Sequence, residues 1–257
     1  MQEIEFKFQV PVKKRKALQK AFTLLKAEPI HLAAQYFDTA DQTLAKHCIA
    51  IRRRQENDEW KQTFKAVDTA KVLSRLELEF DIAPPETTTL DLDNYKKDYS
   101  AIYKKLKRAL GLPLPTLELL FETNIQRLRI LQDVGNSTVE IALDIGKIFE
   151  AQNNVDIFEI EFELKQGSIE DLIAFIRPWV QKYQLSLDTH SKSDYGLLAV
   201  RQQVCFPAQY QIPLILNRSS SEAEALQSIV ANCLQHLLPN ASSIARQQYS
   251  SEHVHQA

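Results

Sequence analysis

The sequence predicts an α+β protein: a closed antiparallel β-barrel, or tunnel, with helices packed outside it and a C-terminal helical extension. Three observations lead there. Segments with a two-residue period recur from residue 3 to residue 164, as expected of strands with one apolar face. Stripes of helical spacing fall between and after them. The non-apolar strand faces carry ionisable residues in place of Thr, Ser, Asn or Gln, and an enclosed polar lumen accounts for that better than an open surface does.

Taken in order, the first strand is Glu3-Ile4-Glu5-Phe6-Lys7-Phe8, with charges on one face and apolar residues on the other. Pro11 suits the first turn of a helix in which Ala17, Leu18, Ala21, Phe22 and Leu25 recur at helical spacing. Ala50 to Arg54 puts Arg52 and Arg54 on a common face, and Lys61 to Lys65 aligns Lys61, Thr63 and Lys65. Arg75 to Phe80 repeats the opening alternation and carries Glu77 and Glu79. Tyr95, Tyr99, Ile102, Leu106 and Leu110 form a second helical stripe, closed by Gly111. Leu120 to Leu131 is a weaker strand with Arg127 and Arg129 on one side. Val139 to Ile145 carries Glu140 and Asp144, and Phe158 to Leu164 carries Glu159, Glu161 and Glu163. Most connections are short enough for antiparallel pairing.

Ser168 and Asp171 resemble a capping box ahead of Leu172, Ile173, Phe175 and Ile176. Pro178 is expected to kink or end that helix. After Val204 the alternation stops. Residues 1–204 therefore read as the tunnel domain and residues 205–220, with Pro207 and Pro213, as a connector. Residues 221–257 read as an incomplete helical segment, with Leu226, Ile229, Val230, Cys233, Leu234 and Leu237 on one apolar face that has no obvious partner.

Composition narrows the function. Lys plus Arg at 31 against Asp plus Glu at 33 gives a net charge of -2, which argues against duplex nucleic acid as a partner. The five glycines lie too far apart for a phosphate-cradling loop, so any phosphate must be held by side chains. Cys48, Cys205 and Cys233 form no C-x-x-C pair, and a reducing cytoplasm is the simplest setting. The acidic N-terminus does not resemble a secretion signal, and no apolar run approaches the ~18 residues of a membrane helix. A cytoplasmic protein with no membrane partner is expected.

For any single strand, a charged face turned to solvent is the simpler account. For all of them together it is not, because rows such as Glu159-x-Glu161-x-Glu163 set like charges side by side and need cations to offset them. Carboxylates crowded in a partly dry cavity raise their pKa or take up cations. Without Cys or spaced His, the ion implied is a hard one with oxygen ligands, Mg²⁺ or Mn²⁺. Arg and Lys on matching faces then need an anion, and phosphate oxygens suit both. Acids, metal and a basic lining together imply a substrate that is itself a chain of phosphates.

The opening E-I-E-F-K resembles the E-x-E-x-K signature of the CYTH superfamily, the triphosphate tunnel metalloenzymes. The resemblance runs from residue 1 to about 200. It takes in Y-F-D-T at Tyr36 to Thr39, I-R-R-R at Ile51 to Arg54 and T-F-K at Thr63 to Lys65. R-L-E at Arg75 to Glu77, V-E-I-A-L-D at Val139 to Asp144, E-I-E-F-E at Glu159 to Glu163, and Ser191-Lys192 complete the set. The resemblance implies an eight-stranded antiparallel tunnel that binds triphosphate with a divalent metal. It implies Glu3, Glu5, Glu159 and Glu161 as metal-site acids, assisted by Asp144 and Glu77, and Arg52, Arg54, Lys65, Arg127 and Lys192 as phosphate ligands. Lys7 is the candidate for steering or deprotonating the attacking water. Glu79, Glu140 and Glu163 are expected to complete ion-pair networks. Tyr36, Asp38 and Thr39 are expected in turn or packing roles, and His31, His47, Trp60 and Trp179 at the surface or in packing.

The tail from Glu222 resembles the beginning of a CHAD domain, a His-containing helical module linked to polyphosphate, although His253 and His255 are expected to be unstructured. The resulting expectation is hydrolysis of inorganic triphosphate, or of another triphosphorylated small molecule, with polyphosphate as a partner of the C-terminal segment. Two alternatives stay open: a class IV adenylate cyclase or thiamine or nucleoside triphosphatase, and a non-catalytic polyphosphate-binding module.

Overall fold

The computed structural model describes residues 4–67, 75–90, 92, 95, 96, 99–150, 153–216 and 219–257. The first half of the chain holds β1 (Glu5–Gln9), α1 (Val12–Leu24), β2 (Glu28–Asp38), α2 (Thr43–Lys46), β3 (Ile49–Glu56), β4 (Glu59–Val67), β5 (Arg75–Ile82), β6 (Thr89–Leu90) and α3 (Ser100–Leu110). Three long strands follow, β7 (Leu117–Val134), β8 (Ser137–Glu150) and β9 (Asn153–Gln166). Then come α4 (Ile169–Tyr183), β10 (Ser186–Leu187), α5 (Lys192–Val200), α6 (Glu222–Ala245) and α7 (Ser251–Gln256). The mixture of strands and helices is the expected one. No helix among the described residues is long and apolar enough to cross a membrane.

Hydrogen bonding joins ten strands in the order β10-β1-β9-β8-β7-β2-β3-β4-β5, with β6 on β7. Of the expected closed eight-stranded barrel, the large antiparallel sheet is present, and hydrogen bonds among the described residues do not close it. The sheet has ten strands, and the pairings of the described residues leave β10 and β5 at its ends. At the outer edge of β1, Phe8 pairs opposite Leu187 and Gln9 opposite Ser186 of the two-residue β10.

The chain divides into two compact units, one of residues 29–127 with 145–157 and the other of residues 4–28, 128–144 and 158–257. In the first unit, Ile49, Ile51, Phe64 and Ala66 alternate inward along β3 and β4. They pack with Phe37, Leu44, Tyr95, Ile102 and Leu106, so that α3 covers this face. Asp38 is buried beneath α2, accepting from the backbone N–H groups of Thr39, Leu44 and Ala45 at 2.7, 2.8 and 2.9 Å. The turn-forming role expected of it is therefore concrete. The second strand, β2, carries no charged alternation and is not expected from sequence, although Ile30, Leu32, Ala34 and Tyr36 are buried at every second position.

In the second unit the apolar face of β1 and β9 is covered by α1 and α4. Phe8 meets Phe162 edge-on at 5.9 Å, Phe162 meets Trp179 at 5.8 Å, and Trp179 meets Phe22 at 6.2 Å. Burying one such side chain contributes roughly 1.5–3 kcal/mol, which is why α4 continues through Pro178 to Tyr183 despite the hydrogen bond that proline forfeits. Its N-terminus shows half of the expected capping box. Ser168 Oγ accepts from Asp171 N at 3.2 Å, while the Asp171 carboxylate accepts from Ser137 Oγ at 2.6 Å. Gly167, at φ +108°, precedes this cap, and a Cβ there would sit 2.0 Å from Ser137 Oγ. Gly167→Ala is expected to cost about 3 kcal/mol through combined backbone strain and overpacking, measured by urea unfolding.

The C-terminal helices belong to the same unit. Gln9 Nε2 donates to Ser242 O at 3.0 Å, and Ser242 Oγ donates to Leu187 O at 3.1 Å, which fixes the end of α6 to β1 and β10. Earlier on α6, Leu226, Ile229, Val230, Leu234 and Leu237 are exposed. His253 is not unstructured. It is buried in α7, where Nδ1 accepts from Ser250 N at 3.0 Å, because it replaces the acidic residue of a capping box.

Candidate active site

The charged faces form two groups, one in each unit. In the second unit the register of β1 on β9 sets Lys7 opposite Glu161, Gln9 opposite Glu159 and Glu5 opposite Glu163. Alternation along β9 turns Ile160 and Phe162 toward the helices and Glu159 and Glu161 away from them. Asp144 on β8 joins the two glutamates, and one carboxylate oxygen from each of the three lies within 4.8 Å of the others. Asp144 is 0% and Glu159 2% exposed, so these acids are not on a solvent-facing sheet surface.

Lys192, the first residue of α5, reaches all three. Its Nζ lies 2.8 Å from Asp144 Oδ2, 2.5 Å from Glu159 Oε1 and 2.8 Å from Glu161 Oε1. The helix holds it there through a capping box in which Ser191 Oγ accepts from Asp194 N at 3.1 Å and Asp194 accepts from Ser191 N at 2.7 Å. Both oxygens of Glu159 are buried, Oε1 against the Lys192 ammonium and Oε2 toward that of Lys7.

Lys7 occupies an adjoining position. Its ammonium donates to His190 O and lies 3.6 Å from Glu159 Oε2 and 4.0 Å from Asp188 Oδ2. Asp188, whose side chain is fully buried, accepts from Tyr195 OH at 2.9 Å and from His190 N at 3.0 Å. His190 in turn stacks on Phe206 at 3.9 Å, and the Arg246 guanidinium lies 4.0 Å over the Tyr195 ring. Burial alone would raise the Asp188 carboxyl, but the hydrogen bond and charge of His190 and the Lys7 ammonium outweigh it and hold its pKa at about 2. Burial pushes the Tyr195 phenol up, which keeps it a donor to Asp188.

The folded pKa of Asp188 lies below its ordinary value of 3.8. The stability this group contributes is therefore complete above about pH 4 and is lost as pH falls toward 2. Asp188→Asn is expected to cost about 2 kcal/mol at neutral pH and to flatten stability between pH 4 and 2, measured by denaturant melts across that range.

In the first unit, β3, β4 and β5 set Arg52 opposite Thr63, Thr63 opposite Glu79 and Lys65 opposite Glu77. Lys65 Nζ is 2.9 Å from Glu77, and Arg54 is 3.3 Å from both Glu56 and Glu79. Arg52 donates to Tyr36 OH at 3.4 Å, and Tyr36 is stacked on Phe121 with ring centroids 4.5 Å apart. Burial opposes the charge on Arg52, but Tyr36, Glu77 and Glu79 outweigh it and raise its pKa. Arg54 goes the other way: burial, then the positive charges of Arg52 and Arg127, lower its pKa. Its buried Nε has no hydrogen-bond partner. Crowded guanidiniums with an unused donor favour an incoming anion.

Of the residues expected at the site, the structure brings together Asp144, Glu159, Glu161, Lys7 and Lys192. It places Arg52, Arg54, Lys65 and Glu77 on the β3–β5 face, and Arg127 half-buried on β7. Glu5 is exposed on β1, and Glu3 lies outside the described residues. Glu163 and Glu140 share Lys165, at 2.7 and 3.4 Å. Asp188, His190 and Tyr195 hold Lys7 yet are not singled out by sequence. The S-x-x-D at Ser191 to Asp194 marks a helix start there, but nothing in the order of residues links that helix to residue 7.

Comparison with known proteins gives three findings. The family described as CYTH domain matches residues 1–194. An inorganic triphosphatase from Haemophilus influenzae is 32% identical over 207 residues, covering 79% of this chain and 56% of that relative, so the chain spans little more than half its length. Two solved structures share the fold at a TM-score of 0.52. One is a candidate adenylate cyclase from Bacillus halodurans, 21% identical, covering 75% of this chain and 96% of that one. The other, from Hippeastrum, is described as a candidate adenylyl cyclase with a dominant triphosphatase activity; it is 18% identical and covers 78% of this chain and 96% of its own.

Proposed function

The chain belongs to the CYTH domain family, and we propose that it hydrolyses inorganic triphosphate to pyrophosphate and phosphate with Mg²⁺ or Mn²⁺. The observation that carries this reading is the convergence of three buried carboxylates, Asp144, Glu159 and Glu161. Their donor set is all oxygen, one oxygen of each lies within 4.8 Å of the others, and the Glu159 oxygens are buried and turned toward cations, so these residues fit a hard divalent ion. When bound, such an ion supplies neutralisation of phosphate oxygens. The name of the Haemophilus influenzae relative supports the choice of triphosphate.

The remaining work falls to the chain's own side chains. Arg52, Arg54, Lys65 and Arg127 engage phosphate oxygens, the guanidiniums in bidentate fashion. Lys7, fixed by His190 O, Asp188 and Glu159, donates to the attacking water or to the phosphate it attacks, a positioning that suits in-line displacement. Glu5 and Glu77 assist at the periphery of the acidic and basic groups respectively. The C-terminal helices are proposed as the beginning of a CHAD-type module that takes polyphosphate.

The test is to incubate the full chain with triphosphate, ATP and thiamine triphosphate in turn, each with Mg²⁺ or Mn²⁺, following phosphate and cyclic AMP. Fastest release of phosphate from triphosphate is expected. Faster turnover of ATP, or cyclic AMP as product, would move the assignment to a nucleotide enzyme. Saturable binding without product would leave a polyphosphate-binding module.

A further inference from the structure

Lys192 makes three ion pairs of 2.5–2.8 Å with the oxygens of Asp144, Glu159 and Glu161, and the same three residues form the carboxylate group suited to a metal ion. Those oxygens lie within 4.8 Å of one another, which leaves room for one cation among them. Like charges at such separations in a low-dielectric site repel strongly. Lys192 also differs from Lys7 in where it stands. It is the first residue of α5, held by a side-chain cap rather than by strand pairing, and its long stem allows the ammonium to withdraw while the backbone stays in place.

We propose that Lys192 is a built-in stand-in for the divalent ion: its ammonium fills the carboxylate cup in the metal-free protein, and metal binding expels it. The inference rests on the metal-site reading above and adds two consequences. In the metal-free protein Lys192 offsets part of the charge of three buried acids that would otherwise be left facing one another. Metal affinity is held below its intrinsic value by the fraction of molecules in which Lys192 occupies the cup. Expulsion also frees a cationic side chain at the moment the metal arrives, when an incoming polyanion can use it.

Titration of the full chain with Mn²⁺ alone, followed by the electron paramagnetic resonance of free Mn²⁺, tests the competition without any turnover. Lys192→Gln is expected to bind Mn²⁺ about tenfold more tightly than the wild type. It is also expected to melt at a lower temperature than the wild type without metal, a gap that saturating Mn²⁺ narrows. Equal or weaker Mn²⁺ binding by a folded Lys192→Gln protein overturns the proposal. A second measurement uses only the wild type: amine acylation read by mass spectrometry. Lys192 is expected to be protected without metal and to become several-fold more reactive with Mn²⁺. Mn²⁺ binding with Lys192 still protected, or no Mn²⁺ binding at all, overturns it as well. Loss of triphosphate hydrolysis in an otherwise normal wild type would leave this exchange standing and remove only the substrate assignment.

Discussion

Lys7→Ala is expected to lower kcat for triphosphate by about 10²–10⁴-fold, the range that one positioned proton donor or acceptor supplies. The ammonium is held by His190 O and faces Glu159 and Asp188, so it is fixed in place rather than free to sample. Its removal also strips a partner from two buried acids, which on its own destabilises the protein. Lys7→Arg separates the two effects: it retains the charge and is expected to restore the melting temperature while leaving kcat low. Steady-state kinetics with thermal melts of both variants decide the matter. A Lys7→Ala protein that turns over at the wild-type rate removes Lys7 from the chemistry.

Glu159→Gln is expected to be at least as damaging to turnover, by about 10³-fold or more, since loss of several kcal/mol of charge stabilisation corresponds to that factor. Glu159 is 2% exposed and lies between Lys7 and Lys192, 3.6 Å from one and 2.5 Å from the other. The amide that replaces it is nearly the same shape but carries no charge and turns two hydrogens toward cations. Mn²⁺ affinity is therefore expected to fall with turnover, and raising Mn²⁺ should recover part of the rate. Glu163→Gln on the same strand is the control. Its carboxylate pairs with Lys165 at 2.7 Å, and turnover is expected to stay near the wild-type level. Equal loss in both variants would mean that charge on β9 matters only in bulk.

The charged faces of β1, β3, β4, β5, β8 and β9 are legible in the sequence because the strand period is two, so that every second residue shares an environment. Glu159 and Glu161 were bound to lie on one face, and Arg52 and Arg54 on another. β2 is harder to see because its alternation, at Ile30, Leu32, Ala34 and Tyr36, lacks charges on the opposite face. The two-residue strands β6 and β10 have no period at all. α5 is short, and only its cap residues Ser191 and Asp194 announce its start.

Pro178 shows the limit of local rules. A proline removes one hydrogen bond, yet the aromatic contacts of Trp179 with Phe22 and Phe162 favour a helix that continues. Strand pairing shows the same limit from another side. Alternation says which face of a strand is polar, but not which segment pairs along its edge, and here Ser186–Leu187 pairs with Phe8 and Gln9 of β1.

By itself, then, the order of residues determined the family, the faces and the residue types: a set of carboxylates fit for a hard cation and a set of cations fit for phosphate. Only the tertiary structure decided which carboxylates converge, that Asp188 and Tyr195 stand behind Lys7, and that Lys192 sits on three acids. The reason is physical. Side-chain direction along a strand is a local, two-residue property, whereas the meeting of Asp144, Glu159 and Lys192 depends on strand order, register and the placement of a helix cap, which are set by packing between segments far apart in the chain.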